Sequence, residues 1–312
     1  MRHPTLLRTL TLAPSLHPRR QPHVSASSGL VVAGSLVYVV ADDEHHLAVL
    51  GTGELQAGAL RFLRILPGDL PDDAALRKRA KPDLEALALL PPAEAWTHGA
   101  LWVIGSGSRP NRQRGLLLRL DSLGAIEGGG IPVDLAPLYA PLRERFADLN
   151  IEGAFVADGL FRLLQRANAG APVNACIDYS LANIEEWLAG KRAAVPAPLR
   201  ITAYELGQVG GVPFGFTDGA AWPGGGWVFS AVAEDTRDSY HDGACAGATI
   251  GWVGLDGRLL RTDLLAGAPK VEGIAVDPLM RLLLVTDSDN PLVPSALMVL
   301  EEPDSPLDRQ RA

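Results

Sequence analysis

The chain has 312 residues, 47% of them apolar, and a formal net charge of −8. That balance supplies a sizeable core and excludes global disorder, and it excludes a general nucleic-acid binder, which needs a basic footprint. Two cysteines, Cys176 and Cys245, make neither a disulfide framework nor a zinc cluster, so both are expected as structural thiols.

The chain opens with MRHPTLLRTLTLAPSLHPRR. Arg8, Thr9 and Pro14 interrupt any apolar stretch, so the segment does not read as a signal peptide. No run approaches the roughly 18 apolar residues of a membrane span. The expectation is a cytoplasmic protein without a membrane partner. Within that segment LLRTLTL (6–12) alternates as a strand does. ASSGLVVAG (26–34) follows, then LVYVVAD (36–42), HLAVLGT and ALRFLRIL. DDAALRKRA (72–80) is a weak helical stretch. KPDLEALAL (81–89) leads into ALWVIGS (100–106) and GLLLRLD. DLAPLYAPLRERFADL (134–149) carries Leu135, Leu138, Leu142 and Phe146 at helical spacing. LNIEGAFV (149–156) and LFRLLQR (160–166) read as strands again. SLANIEEWLAG (180–190) starts on the N-cap residue Ser180 and stops at Gly190, and ITAYELG comes next. GFTDGAAW (215–222), GWVFSAV (226–232) and TIGWVGL form the next group of runs. KVEGIAV (270–276), RLLLVTD (281–287) and ALMVLEE form the last.

Five of these runs share an opening. Ser28-Gly29, Glu85-Ala86, Glu152-Gly153, Asp218-Gly219 and Glu272-Gly273 each precede an aliphatic strand. They recur at intervals of roughly 55 to 70 residues, long enough for four short strands and their loops. The pattern predicts one all-β domain over 1–312, a five-bladed β-propeller of four-stranded antiparallel blades with two or three short inserted helices. The fifth unit lacks an outer strand, and residues 6–12 are expected to supply it and close the ring. The alternative is a six-bladed propeller with a degenerate blade in 125–150.

In such a fold the start of each inner strand neighbours the end of the second strand at one mouth of the channel. Glu85, Glu152, Asp218 and Glu272 should therefore share a ring with Ser28. The second-strand ends bring Asp42, Arg109, Arg166, Asp287 and Asp289 toward them. Converging carboxylates cannot all stay ionised and unpaired. A hard cation such as calcium or magnesium could neutralise Glu85, Glu152, Asp218 and Glu272. Lys81, Arg109, Arg166 and Lys270 could pair with them instead, or each carboxylate could cap backbone N–H groups of a neighbouring blade. His241, between Tyr240 and Asp242, is a candidate general base.

VEGIAVDPLMRLLLVTDSD (271–289) and IEGAFVADGLFRLLQRAN (151–168) resemble the repeating units of phytase-like propellers, and gluconolactonase-type propellers share the style. The resemblance implies a calcium ion at the central mouth and hydrolysis of a phosphoester, ester or lactone. It places Glu85, Glu152, Asp218 and Glu272 at the centre, with Arg166, Asp287 and Asp289 beside them. Ser28 stands where the pattern has an acid, and Ala86 where it has glycine. Two functional readings remain. One is a metal-dependent hydrolase in which Glu152, Glu272 or His241 moves the proton. The other is a non-catalytic propeller that binds a small, anionic ligand or a protein.

Overall fold

Short aliphatic runs joined by tight turns pair with their sequence neighbours, because a turn of a few residues returns the chain antiparallel. The computed structural model describes residues 1–56, 58–168, 172–234, 245–301 and 304–308. After β1 (Thr5–Thr9), the first blade holds β2 (Ser27–Ala33), β3 (Leu36–Ala41), β4 (His46–Gly51) and β5 (Arg61–Arg64), in that order from the axis. Helix α1 (Ala74–Ala80) leads to the second blade, β6 (Leu84–Leu90), β7 (Ala100–Gly105), β8 (Arg114–Arg119) and β9 (Ile131–Asp134). Helix α2 (Ala136–Arg143) precedes the third, β10 (Ile151–Ala157), β11 (Leu160–Gln165) and β12 (Asn174–Ser180). That blade ends, after α3 (Leu181–Leu188), with β13 (Arg200–Tyr204). The fourth blade adds a two-residue strand, β14 (Gln208–Val209), to β15 (Val212–Ala221), β16 (Trp227–Glu234), β17 (Cys245–Val253) and β18 (Leu259–Leu264). The fifth comprises β19 (Val271–Val276), β20 (Leu282–Thr286) and β21 (Ala296–Leu300), with β1 as its outermost strand. The inner strands β2, β6, β10, β15 and β19 touch in a closed ring.

The architecture is therefore a five-bladed all-β propeller with three short helices, and β1 closes it: Thr5 lies opposite Val299 and Thr9 opposite Ala296. Residues 125–150 form no extra blade; they supply the outer strand β9 and helix α2. The three inserted helices form where expected. Asp73 caps α1 by accepting from the Leu76 N–H at 2.8 Å, and Ser180 caps α3 by accepting from Asn183 at 3.4 Å. ITAYELG supplies the outer strand of its blade, β13. The third is β12, whose Asn174 and Asp178 make it read as a loop.

Apolar side chains alternate out of each strand and fill the spaces between blades. Between the second and third blades, Trp102 stacks on Phe161 at 4.8 Å between ring centroids, and both are fully buried. Each such buried aromatic contributes about 1.5–3 kcal/mol of hydrophobic stabilisation. The blades are thereby fixed around the axis, and so are the residues at their ends.

Candidate functional site

Every inner strand carries a β-bulge. The register slips between Ser27 and Gly29, Leu84 and Ala86, Ile151 and Gly153, Phe216 and Asp218, and Val271 and Gly273. The extra residues are Ser28, Glu85, Glu152, Thr217 and Glu272. A bulged residue leaves the ladder and its side chain is re-aimed, here toward the mouth. In the fourth blade the bulge falls on Thr217, so the expected alignment of Asp218 with the glutamates is off by one residue.

Asp218 instead occupies the position of Gly29, Ala86, Gly153 and Gly273 in the other units, where the strands crowd the axis. A Cβ on Gly153 would lie 2.9 Å from the Asp218 Cα, and one on Gly273 would lie 3.0 Å from the Gly29 carbonyl carbon. The Asp218 carboxylate fills this centre. It accepts from Gly219 N–H at 2.8 Å and from Ile274 N–H of the fifth blade at 3.0 Å. Burial drives its pKa well up, against those backbone hydrogen bonds. It joins the fourth and fifth blades.

The remaining charged groups divide the mouth in two. Toward the third to fifth blades, Arg166 sits 2.5 Å from Glu234, 3.6 Å from Glu152 and 3.7 Å from Glu272. Lys270 reaches Glu234 at 3.2 Å, Glu272 at 3.4 Å and Asp289 at 2.5 Å. Asn150 donates from its side chain to Glu152. The Asp289 N–H donates to Asp287 at 2.9 Å. Burial lifts the Glu152 pKa to about 8; Arg166 opposes the rise and Glu272 adds to it. Burial also lifts Glu272 and, further, Asp287, with Lys270 opposing in both cases. Burial works against the charge on Arg166 and Lys270, but their carboxylates outweigh it and both pKa values rise.

Toward the first two blades, Lys81 caps the end of α1 and contacts Asp42 directly and Asp83 at 2.9 Å. Asp83 also accepts from Arg112 at 2.8 Å and from the Ser106 hydroxyl at 2.5 Å. Burial alone would raise the Asp83 pKa, but Lys81 and Arg112 outweigh it and hold it below the usual value. Burial lifts Asp42 to about 6, with Lys81 opposing. Glu85 differs from all of these. Neither a hydrogen bond nor an ion pair from a described residue reaches it. Burial raises its pKa well above the ordinary range, and Asp83, Glu152 and Asp42 add repulsion that Lys81 offsets in part.

The mouth thus gathers Asp42, Lys81, Glu85, Glu152, Arg166, Lys270, Glu272, Asp287 and Asp289. Arg109 lies exposed on its loop, and Arg112, three residues on, takes the buried place beside Asp83. His241 falls outside the described residues. Asp83, Arg112 and Glu234 complete the charge network. Among the described residues one trio, Asp42, Asp83 and Glu85, places three carboxylate ligand atoms within 4.8 Å of one another. It fits a hard cation poorly. Calcium takes six to eight oxygens, whereas both Asp83 oxygens and one of Asp42 are already engaged, and the Lys81 ammonium stands between them.

Among the described residues no helix is long and apolar enough to cross a membrane. No curated protein shows significant similarity to the chain. Among solved structures, the glutaminyl cyclase of Myxococcus xanthus is 11% identical, with 96% of each chain covered and a TM-score of 0.49. The Bacillus subtilis arabinanase Arb43A is 10% identical over 94% of this chain and 96% of that one, at 0.43. A streptogramin B lyase is 12% identical over 93% and 96%, at 0.38. None of these likenesses bears on the activity of this chain. The chain belongs to the family described as "Family of unknown function (DUF6929)", whose model matches residues 23–301.

Proposed function

We propose that the channel mouth is an acid–base site that hydrolyses a small ester, lactone or phosphoester. The observation that carries this reading is Glu85: at a mouth where the other carboxyl groups are held by cations or N–H groups, it alone has no such partner among the described residues. Burial, with repulsion from Asp83, Glu152 and Asp42, raises its pKa well above the ordinary range and favours the protonated form. Asp42, with a pKa of about 6, is a carboxylate at neutral pH. Environments that push two neighbouring carboxyl groups apart in pKa divide them into an acid and a base. Asp42 takes a proton from the attacking water as its oxygen bonds to the substrate's carbonyl carbon or phosphorus. Glu85 gives its proton to the oxygen that leaves. Arg166 lies near enough to Glu85 to feel its charge. The Arg166 Nη1 sits 3.6 and 3.7 Å from its carboxylates, within ion-pair reach but beyond a hydrogen bond, so its N–H groups can receive a developing oxyanion. Lys81 positions Asp42. Glu152 and Glu272 position Arg166.

The test is a panel of aryl esters, lactones and phosphomonoesters, with Glu85→Gln and Asp42→Asn beside the wild type. Turnover of at least one class, lost by about a hundredfold or more in either variant, is the expected result. Turnover untouched by both variants moves the chemistry elsewhere. Turnover absent throughout leaves a binding propeller.

A second reading, a divalent cation among Asp42, Asp83 and Glu85, is favoured by their separation alone, and it requires Lys81 to withdraw. Calcium or magnesium would then raise the melting temperature by mass action, and the rise would vanish in Glu85→Gln. A melting temperature indifferent to both ions and to EDTA removes this reading.

A further inference from the structure

Between the third and fourth blades a cleft of about 600 Å3 runs outward from the mouth. Its inner end is the Arg166–Glu234 pair, and Tyr204, Leu206, Phe214 and Val232 line its walls. Leu206, Phe214 and Val232 are buried. One rim is the hairpin formed by β14 and the start of β15, where Gln208 pairs with Pro213 and Val209 with Val212. Among the described residues no other blade carries such an added strand. The Asn174 side chain ties the floor together: it donates to the Phe214 carbonyl at 2.7 Å and accepts from Phe216 at 3.0 Å and Ala167 at 2.9 Å. A largely apolar concavity of this size matches the pockets that hold drug-sized organic molecules.

The charges at the inner end restrict what can enter. Arg166 is already surrounded by Glu152, Glu234 and Glu272, and Lys270 by Glu234, Glu272 and Asp289. Carboxyl groups outnumber cations, so a phosphate dianion arriving here meets net repulsion in a poorly solvated place. A neutral carbonyl oxygen carries no such penalty and can accept from the Arg166 Nη1. We infer that the cleft seats the apolar aromatic or short aliphatic body of an uncharged carbonyl compound, with its carbonyl directed to Arg166. This rests on the reading of the mouth as a hydrolytic site, and it selects carboxylic esters and their analogues over phosphoesters. The blade-specific hairpin is then the specificity element.

The test uses N-(4-nitrophenyl)butyramide, a neutral carbonyl compound resistant to hydrolysis, and 4-nitrophenyl phosphate, titrated by ligand-observed NMR at pH 7.5. The amide is expected to bind saturably, and the phosphate at least about tenfold more weakly. Val212→Trp and Gln208→Trp, which fill the cleft from its rim, are each expected to weaken amide binding about tenfold while the melting temperature is kept. Two variants on different strands guard against one misfolding. The inference is overturned if the phosphate binds as tightly as the amide, if the amide does not bind, or if both folded variants bind it as the wild type does. Glu85→Gln separates the two readings, since it should retain amide binding and lose turnover. Amide binding that the tryptophan variants block, in a protein that turns nothing over, keeps the cleft and removes the chemistry.

Discussion

The two halves of the mouth solve the same electrostatic problem differently. Toward the third to fifth blades, Arg166 and Lys270 hold Glu152, Glu234, Glu272 and Asp289 in one cross-blade network. Toward the first two, Lys81 and Arg112 hold Asp42 and Asp83, while Glu85 stays outside the pairing. Matched charges make framework. A carboxyl group left outside those pairs, its protonated form favoured by burial, is available to a substrate. The difference teaches that proximity to the axis does not by itself make a residue functional; Asp218 is buried where the inner strands crowd together, and its carboxylate accepts from backbone N–H groups.

The largest effect should come from Arg166→Met. It takes from Glu152 its cation and leaves Glu234 and Glu272 to share Lys270, and it should destabilise the fold by about 3–5 kcal/mol in urea unfolding. A loss near zero would dissolve the distinction between the halves. Asp218→Ala comes next. It leaves buried N–H groups on two blades without an acceptor and should cost about 2–4 kcal/mol. The pH dependence should be smaller. Glu152 has a folded pKa of about 8 against an ordinary value of 4.5, so the native state holds a proton that the unfolded chain releases. Its contribution is complete below pH 4.5 and is lost as pH rises toward 8. Wild-type stability should therefore fall across that interval, and Glu152→Gln should flatten the slope. An equally steep slope in the variant assigns the effect to other groups. The smallest change in stability is expected for Glu85→Gln, within about 0.5 kcal/mol of wild type. If it destabilises as Arg166→Met does, Glu85 is framework as well.

Much of the fold was legible because strands leave a local mark. Alternation, Gly and Asp turns and a repeated opening are enough to count the blades, and the unmatched run at residues 6–12 gave the closure. Helix α3 was legible through its Ser180 cap and α2 through its apolar spacing. What escaped depends on register or on distant partners. GFTDGAAW imitates the Glu-Gly opening, but its bulge lies one residue earlier, on Thr217, and only the pairing of β15 with β16 fixes that. Strand β12 hid because Asp178 looks like a turn residue; its partners Arg162 and Arg200, at 3.2 and 2.7 Å, lie on the strands either side. Acid at the mouth was legible in Asp42, Glu85, Glu152 and Glu272. Asp83 was not singled out, though it sits two residues before Glu85. Arg112 could not be ranked above Arg109, because a loop's composition does not say which arginine turns inward.

Closure by β1 has a consequence for synthesis. The strand precedes the four other blades in chain order, yet its partner β21 follows them. Until β21 is made it has no partner, and the four other blades can form without it. Ring closure is therefore a late step of high contact order. Protection of the Thr5–Thr9 amides from hydrogen exchange should appear last during refolding.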